Sequence, residues 1–585
     1  MGAADGKHLV DEEKTAAANR LEAANSTLCV VPNEKEAVEV HRNVVTRFIL
    51  FLGSFMIPGL GMFCEAYFVF AVGNLSALWK VEYANCWSKH VTCPVKLSDS
   101  ITYTQVCGII FGQLFLGFFA DRIGRKWGSV STAATMVVGA ILIIVSNGHN
   151  DRALWAMFTA VQFIFGIGVG GEYPVASTSA NERAESTAKL QKRRGETVVL
   201  VFSMQGWGNL VNTAVIIAIM AGYGQYNKPY DHHALEVTWR LSYAIGLIPL
   251  IGILLYRTLR LPESTVWENK RKALQAMGGD KASGVRWRKF GLLMRHYWHR
   301  NFGTAMSWFV WDFAFYGNKL FQGTFIKAID TIGRPRPGGW AQIINPSAGL
   351  IQVLEWTLLN SSVALVGYYF AAFTIDKPWM GRRRMQMMGF AWMFVLFLIC
   401  AVRYNELRTP KYIHTFQFLY YFSSFWGQFG PNATTWLLPA ELAPTELRSM
   451  CHGFSAAVGK AGALVAGVVF NLVDNRVKFW ISAFCGLAGV ILTFITIPDT
   501  TGLDLREGDR RWLAMLDGHH ELYHGLAVHP RFLSPLERLL GYGKQYRVDD
   551  DLGLEAMKDG GDKSSDNPKA VEMDGTTKAV PVVRE

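Results

Sequence analysis

Stretches of some twenty predominantly apolar residues recur along this 585-residue chain, and no other property of the sequence narrows its architecture as far. A helix of that length crosses the roughly 30 Å hydrocarbon layer of a bilayer. Lipid offers no partner to a free backbone N–H or C=O, so a spanning segment must be a helix or part of a closed barrel, and runs this long read as helices. Twelve are predicted, at 46–74, 101–121, 128–146, 153–177, 197–222 and 238–258, then at 302–325, 347–374, 385–403, 412–437, 450–472 and 478–498. The expected fold is an all-α membrane protein of two six-helix bundles, 46–258 and 302–498. Polar segments at 1–45 and 499–585 lower the mean hydropathy to +0.15. The opening run Met1 to Val45 has no apolar core of signal-peptide length, and Gly6 stands where a myristoylation pattern wants Ser or Thr.

The net charge of +11 is concentrated in particular loops between apolar runs, which reads as membrane topology and contact with anionic lipid, not nucleic-acid binding. A basic connector at 259–301 carries Lys270, Arg271, Lys272, Arg286, Arg288, Lys289, Arg295 and Arg300. Placing it in the cytosol puts Arg122, Arg125 and Lys126, Lys192 to Arg194, and Arg382 to Arg384 there too, with both termini. Beyond the last span, Arg510 to Tyr546 is expected along the membrane surface, and the composition from Asp549 onward is that of a disordered tail. His519, His520 and His524 read as exposed tail histidines in preference to a metal site. Cys86 and Cys93 share one short outer loop, where a disulfide and two free thiols are both open.

Two corners repeat between the halves. After the second span comes Gly117-Phe-Phe-Ala-Asp121-Arg122-Ile-Gly124-Arg125-Lys126, and after the eighth a looser echo, Asp376-Lys377-Pro-Trp-Met-Gly381-Arg382. Glu182 and Arg194 follow the fourth span as Glu441 and Arg448 follow the tenth. The first motif resembles the hallmark of the major facilitator superfamily, whose fold has twelve helices in two pseudo-symmetric bundles. That resemblance implies a cytoplasmic gate made of Asp121, Arg122, Arg125, Glu182, Arg194, Asp376, Glu441 and Arg448. Single exposed ion pairs contribute only about 0–1 kcal/mol, so a network of them suits a reversible lock.

Ionisable residues inside spans are costly and mark pathways. Here they are Glu65, Glu172, Asp312, Lys319, Glu355 and Lys460. Trp308, Asp312 and Tyr316 share a helix face, placing an acid between two aromatic donors that can bind an oxyanion when protonated and repel it when charged. Lys460 sits among glycines and calls for an anion, and Gln205 occupies the corresponding span of the other half. Gly170-Gly-Glu172-Tyr173-Pro and Gly430-Pro-Asn432 interrupt the fourth and tenth spans, where backbone polar groups can face a cavity.

Taken in order, these five motifs resemble the phosphate:H+ symporter family of fungi and plants, from Glu65 to Pro498. The resemblance implies a phosphate site of Tyr173, Gln205, Trp308, Asp312, Tyr316, Asn432 and Lys460, with Glu65, Asp312 and Glu172 in proton coupling. The chain departs from the family at Glu65 and Glu172, where Asp is usual, at Phe68 and Gln162, where an acid and an Arg are usual, and at Asn318-Lys319. Some relatives with the Glu-Tyr-Pro motif look like carriers of glycerophosphodiesters.

The function expected is import of inorganic phosphate with protons across the plasma membrane by alternating access, by a monomer or loose oligomer. An organophosphate or other organic-anion symporter is the rival within that class, and a phosphate-sensing receptor with little transport is the rival outside it. No nucleophile motif, metal cluster or nucleotide loop suggests an enzyme, and no cofactor beyond the coupling proton is expected.

Overall fold

A computed structural model describes residues 44–185, 188–227, 229–276, 283–320, 349–409 and 411–547. The expectations for the N-terminal tail, for residues 321–348 and for the tail beyond 547 lie outside the described residues, as does the side chain of Lys319.

The first half supplies α1 (Val44–Glu82), α2 (Val95–Ile123), α3 (Arg125–Ile144), α4 (Asp151–Ala184), α5 (Arg194–Gly222) and α6 (His232–Leu259). Connector helices α7 (Thr265–Ala276) and α8 (Ser283–His296) lead to α9 (Trp298–Leu320), α10 (Leu350–Thr374) and α11 (Gly381–Val402). The tenth span is broken into α12 (Ile413–Gly427), a π-turn (Gln428–Asn432) and α13 (Ala433–Leu442), followed by α14 (Arg448–Leu472) and α15 (Asn475–Thr496). Ten of these helices are long and apolar enough to cross a bilayer on those criteria alone. The remaining two spans are those the site has modified: α9 carries His299, Arg300, Asp312 and Lys319, and the π-turn at Pro431 divides the tenth.

Within each half the packing repeats: α1 lies along α5 as α9 lies along α14, and α2 along α4 as α10 along α12 and the π-turn. The halves meet through α2 against α14 and α5 against α10. Glycine permits the closest crossing, since a Cβ on Gly112 of α2 would sit 2.1 Å from the Ile167 carbonyl of α4. The departures at Phe68 and Gln162 are absorbed by this packing. Phe68 stacks among Phe165 and Tyr243, and Gln162 accepts a hydrogen bond from Gln105 at 2.8 Å. Cys86 and Cys93 are joined in a disulfide at the outer end of α1.

The stretch after the last span does not lie apart from the protein. Helices α16 (Leu505–Leu516) and α17 (Pro535–Leu539) fold against α8 and the adjoining ends of the second bundle. Apolar residues drive this: Trp512 is fully buried among Leu293, Tyr297, Cys451 and Met515. Polar contacts fix the register. Trp512 Nε1 donates to Glu446 at 3.0 Å, and Asp509 accepts from the Thr445 backbone and hydroxyl at 2.8 and 2.6 Å. Glu537 accepts from His299 and Arg300 at 2.9 and 2.7 Å. Burial alone would raise the Glu537 carboxyl, yet Arg300 and His299 hold it well below the usual carboxylate range.

Candidate substrate site and cytoplasmic gate

Between the bundles, six helices and the π-turn bring together a buried polar chain. From the first half, Tyr173 (α4) donates to Glu65 (α1) at 3.1 Å, and Gln205 (α5) donates to the Tyr173 hydroxyl at 2.9 Å and to Glu65 at 3.3 Å. From the second, Tyr368 (α10) donates to the Gln205 carbonyl at 2.8 Å, and Asn432 donates to the Tyr368 hydroxyl at 2.6 Å. Trp311 and Gln428 hold Asn432 from behind, at 2.9 and 2.5 Å. Breaking the tenth helix at Pro431 is what turns this segment toward the interface, because proline has no N–H to continue the ladder.

Beside this chain lies a cationic centre. Lys460 (α14) donates to Asp312 at 2.8 Å and to the Tyr316 hydroxyl at 3.0 Å, and its ammonium sits 5.0 Å from the Tyr173 ring centroid across the bundle interface. Trp308 closes the wall, its ring 6.3 Å from that of Tyr173. Each of these side chains is buried. In this arrangement Asp312 occupies the ammonium.

Glu172 does not join them. It is one residue before Tyr173, about 100° around the helix, and it faces the interior of the first bundle, where it pairs with Arg257 of α6 and accepts from Thr132 at 3.0 Å. The carboxylate expected to take part in proton coupling is thus held in an ion pair inside the first bundle.

At the ends of the bundles that carry the connector helices, each bundle holds a cluster of the same form. Arg125 pairs with Asp121 and Glu182, both at 2.7 Å, and Arg382 with Asp376 at 2.7 Å and Glu441 at 3.1 Å. Each sits behind a glycine with positive φ, Gly124 at +96° and Gly381 at +70°, so the helix can begin with its arginine turned inward. The clusters then reach across. Asp121 accepts from the backbone N–H of Ser449 and Met450 at the start of α14, and Asp376 from those of Gly195 and Glu196 at the start of α5. Arg194 meets Glu441 at 2.7 Å, and Arg448 meets Glu185 at 3.5 Å. These contacts join the two bundles at this end. Most of these charges are buried, so removing one partner leaves its counterpart buried without a countercharge. Arg122 is exposed, with its guanidinium 3.9 Å from the centroid of the Phe118 ring.

Burial pushes the Glu185 carboxyl up to about 7, against the pull of Arg448 and Arg194 and with a push from Asp509 and Asp504. Sequence reasoning passed over Glu185, Tyr368, Gln428 and Trp311, and also Ser264 and Thr500, whose hydroxyls donate to Glu182 and Glu441. A signal for the last two was present. Pro262-Glu263-Ser264 after the sixth span repeats as Pro498-Asp499-Thr500 after the twelfth.

Comparison with known proteins agrees with this geometry. The family described as "Sugar (and other) transporter" matches residues 55–283 and 340–512. The probable inorganic phosphate transporter 1-12 of Oryza sativa subsp. japonica is 30% identical over 508 residues, covering 77% of this chain and 90% of its own length. The low affinity inorganic phosphate transporter 1 of Petunia hybrida is 32% identical over 450 residues, covering 71% and 81%. Among solved structures, the proton:xylose symporter XylE bound to 6-bromo-6-deoxy-D-glucose superposes with a TM-score of 0.60 at 16% identity, over 80% of this chain and 99% of that one, a likeness of fold. With its apolar helices in two equivalent halves and the family matched over 55–283 and 340–512, the chain belongs to the sugar (and other) transporter family of the major facilitator superfamily.

Proposed function

We propose that the chain imports inorganic phosphate with protons across the plasma membrane. The observation that carries this reading is the bond from Lys460 to Asp312 at 2.8 Å, in a buried site whose other groups, Glu65 apart, are neutral hydrogen-bonding ones. An ammonium can serve a carboxylate or an incoming oxyanion, and protonation of the carboxylate decides which. When Asp312 takes a proton from the outer side, Lys460 is released to a phosphoryl oxygen. Gln205, Asn432 and the hydroxyls of Tyr173 and Tyr368 supply neutral donors to the others. Glu65, already accepting from Tyr173 and Gln205, is placed to pass a proton along the same chain. Once the bundles part on the cytoplasmic side, Asp312 loses its proton to water, recaptures Lys460 and displaces the anion. Each net positive charge carried inward gains about 2.3 kcal/mol per 100 mV, so more protons than anion charges make uptake favourable.

The names of the plant relatives support phosphate as the anion. The test is uptake of labelled phosphate by the purified chain in liposomes under an imposed pH gradient. Asp312→Asn is expected to abolish gradient-driven accumulation while leaving phosphate exchange; accumulation that persists in this variant rules the coupling role out.

A further inference from the structure

The segment after the last span buries a cation that the chain leaves unmatched. Arg511 of α16 is 3% exposed, and its guanidinium lies 5.5 Å from the centroid of the Tyr297 ring and 5.2 Å from that of the Tyr542 ring. Its Nη1 has no hydrogen-bond partner among the described residues. Ring faces attract a guanidinium, yet they leave its N–H donors without oxygen acceptors. The acids of the segment are already engaged. Glu537 accepts from Arg300 and His299 and from the Ser534 N–H at 2.8 Å, Asp509 is held by Thr445, and Glu507 accepts from Arg510 and Tyr523, both at 2.6 Å.

Further basic groups crowd the same place. Arg300 lies over the same Tyr297 ring at 5.5 Å, and the His299 ring packs on that of Tyr542 with centroids 5.4 Å apart. His299 uses Nε2 on Glu537, and its Nδ1, fully buried, also has no partner among the described residues. His296 at the edge registers the excess of positive charge: burial, His520 and Arg511, with Arg295 and His299, hold its imidazole down at about 4. A buried charge without a countercharge strongly destabilises a fold, because nothing offsets its lost hydration. Two buried nitrogens without partners, among acids that are all in use, therefore point to an anion from outside the chain. A guanidinium presents parallel N–H donors that match two oxygens on one phosphorus. Protonated beside such an anion, His299 adds a donor from Nδ1. Of the two rings over Arg511, Tyr297 is buried and Tyr542 is half-buried in the short turn Tyr542–Gln545, so Tyr542 is the one able to turn aside and admit an ion.

We propose that Arg511, with Arg300 and His299, binds a free tetrahedral oxyanion of the size of inorganic phosphate, where α16 and the turn at Tyr542 meet the start of α9. This site is separate from the one around Lys460 and does not rest on the transport reading. Asp509 and Trp512 flank Arg511 on α16 and bond Thr445 and Glu446, so an ion held there also tightens the segment on the ends of the bundles.

Amide hydrogen–deuterium exchange of the full purified chain in detergent reads residues 505–547 directly and separates this site from the one inside the spans. Inorganic phosphate at about ten times its dissociation constant is expected to slow exchange over that segment by about tenfold, relative to sodium chloride of equal ionic strength. Arg511→Met replaces the unmatched cation by an apolar chain, so the segment is expected to stay folded in chloride and to lose the response to phosphate. Arg511→Lys keeps the charge without the fork, and about tenfold more phosphate is expected for the same protection. Arg531→Gln, at an exposed position of the same segment, is expected to leave the response as it is. Glucose 6-phosphate carries its phosphoryl group on a bulky ring and is expected to give no protection between Tyr297 and Tyr542. Equal exchange in phosphate and chloride overturns the inference, as does a response retained by Arg511→Met at the same phosphate concentration, or protection by the ester alone. If Arg511→Met frays the segment, Arg511→Lys decides, and an unchanged half-protecting concentration there overturns the inference too. Failure of phosphate uptake in liposomes would remove the transport reading and leave this result standing.

Discussion

Asp121 and Asp376 stand in equivalent places in the two halves, and each closes the first turn of a helix in the opposite half, at 2.8 Å from Met450 N and from Glu196 N respectively. A carboxylate at a helix N-terminus satisfies free N–H groups and meets the positive end of the helix dipole. Because neither cap belongs to the bundle it stabilises, separating the bundles removes both.

Asp121→Ala and Asp376→Ala are expected to shift the balance toward the inward-open form by about fivefold each, from about 1 kcal/mol per lost cap. The double variant is expected to approach the product. A cysteine placed at Ser177, which is buried and donates to the Trp436 carbonyl of the other bundle at 3.1 Å, reports the opening by its labelling rate with a maleimide. Unchanged labelling in the double variant would contradict the capping role.

Glu441 serves Arg194, Arg382 and Thr500 from a buried position. Glu441→Gln leaves two buried guanidinium groups short of countercharge, and a loss of about 3–5 kcal/mol is expected. The exposed pair Arg403 and Glu406 is the control, since Glu406→Ala is expected to change stability by less than about 0.5 kcal/mol. Thermal unfolding of the detergent-solubilised chain, followed by size-exclusion chromatography, separates the two outcomes.

With its carboxyl raised by burial, Glu185 is expected to make the contact between the bundle ends sensitive to pH. In the closed form its carboxyl titrates at about 7, against an ordinary value of 4.5 once hydrated. Between those values the closed form holds a proton that the open form releases, so closure weakens as pH rises from 4.5 to about 7 and gains nothing further above it. Maleimide labelling at Ser177→Cys should therefore accelerate over that range, and Glu185→Gln should flatten the profile. A profile equally steep in both proteins would assign the sensitivity elsewhere.

Tyr368 connects the halves through bonds to Gln205 and Asn432. Tyr368→Phe keeps the ring and removes the link, and the KM for phosphate uptake is expected to rise about fivefold, the equivalent of one net hydrogen bond. Equal KM values would mean that the hydroxyl only fills space.

Most of the fold was legible because a bilayer demands long apolar helices and charged corners repeat between halves. Gln205, Asn432, Asp312 and Lys460 were legible as the groups hardest to justify inside lipid. The partner of Glu172 was not legible, because apolar periodicity places a residue on a helix without saying which neighbour it meets, and only packing reveals Arg257 beside it. Tyr368 and Trp311 were hidden among many aromatic residues in spans, where an apolar ring is ordinary and a used hydroxyl or indole N–H leaves no mark in sequence. The fold of 505–547 escaped notice because its stability comes from surfaces far away in sequence, with Glu537 bonded to His299 across 238 positions.

That distance bears on how the protein is made. Glu441, Thr445 and His299 are synthesised well before Thr500, Asp509 and Glu537, the residues that complete their contacts. The inner seal is therefore assembled only after the last span has left the ribosome, and a chain terminated early within 499–547 enters the membrane with twelve helices and an unfinished lock.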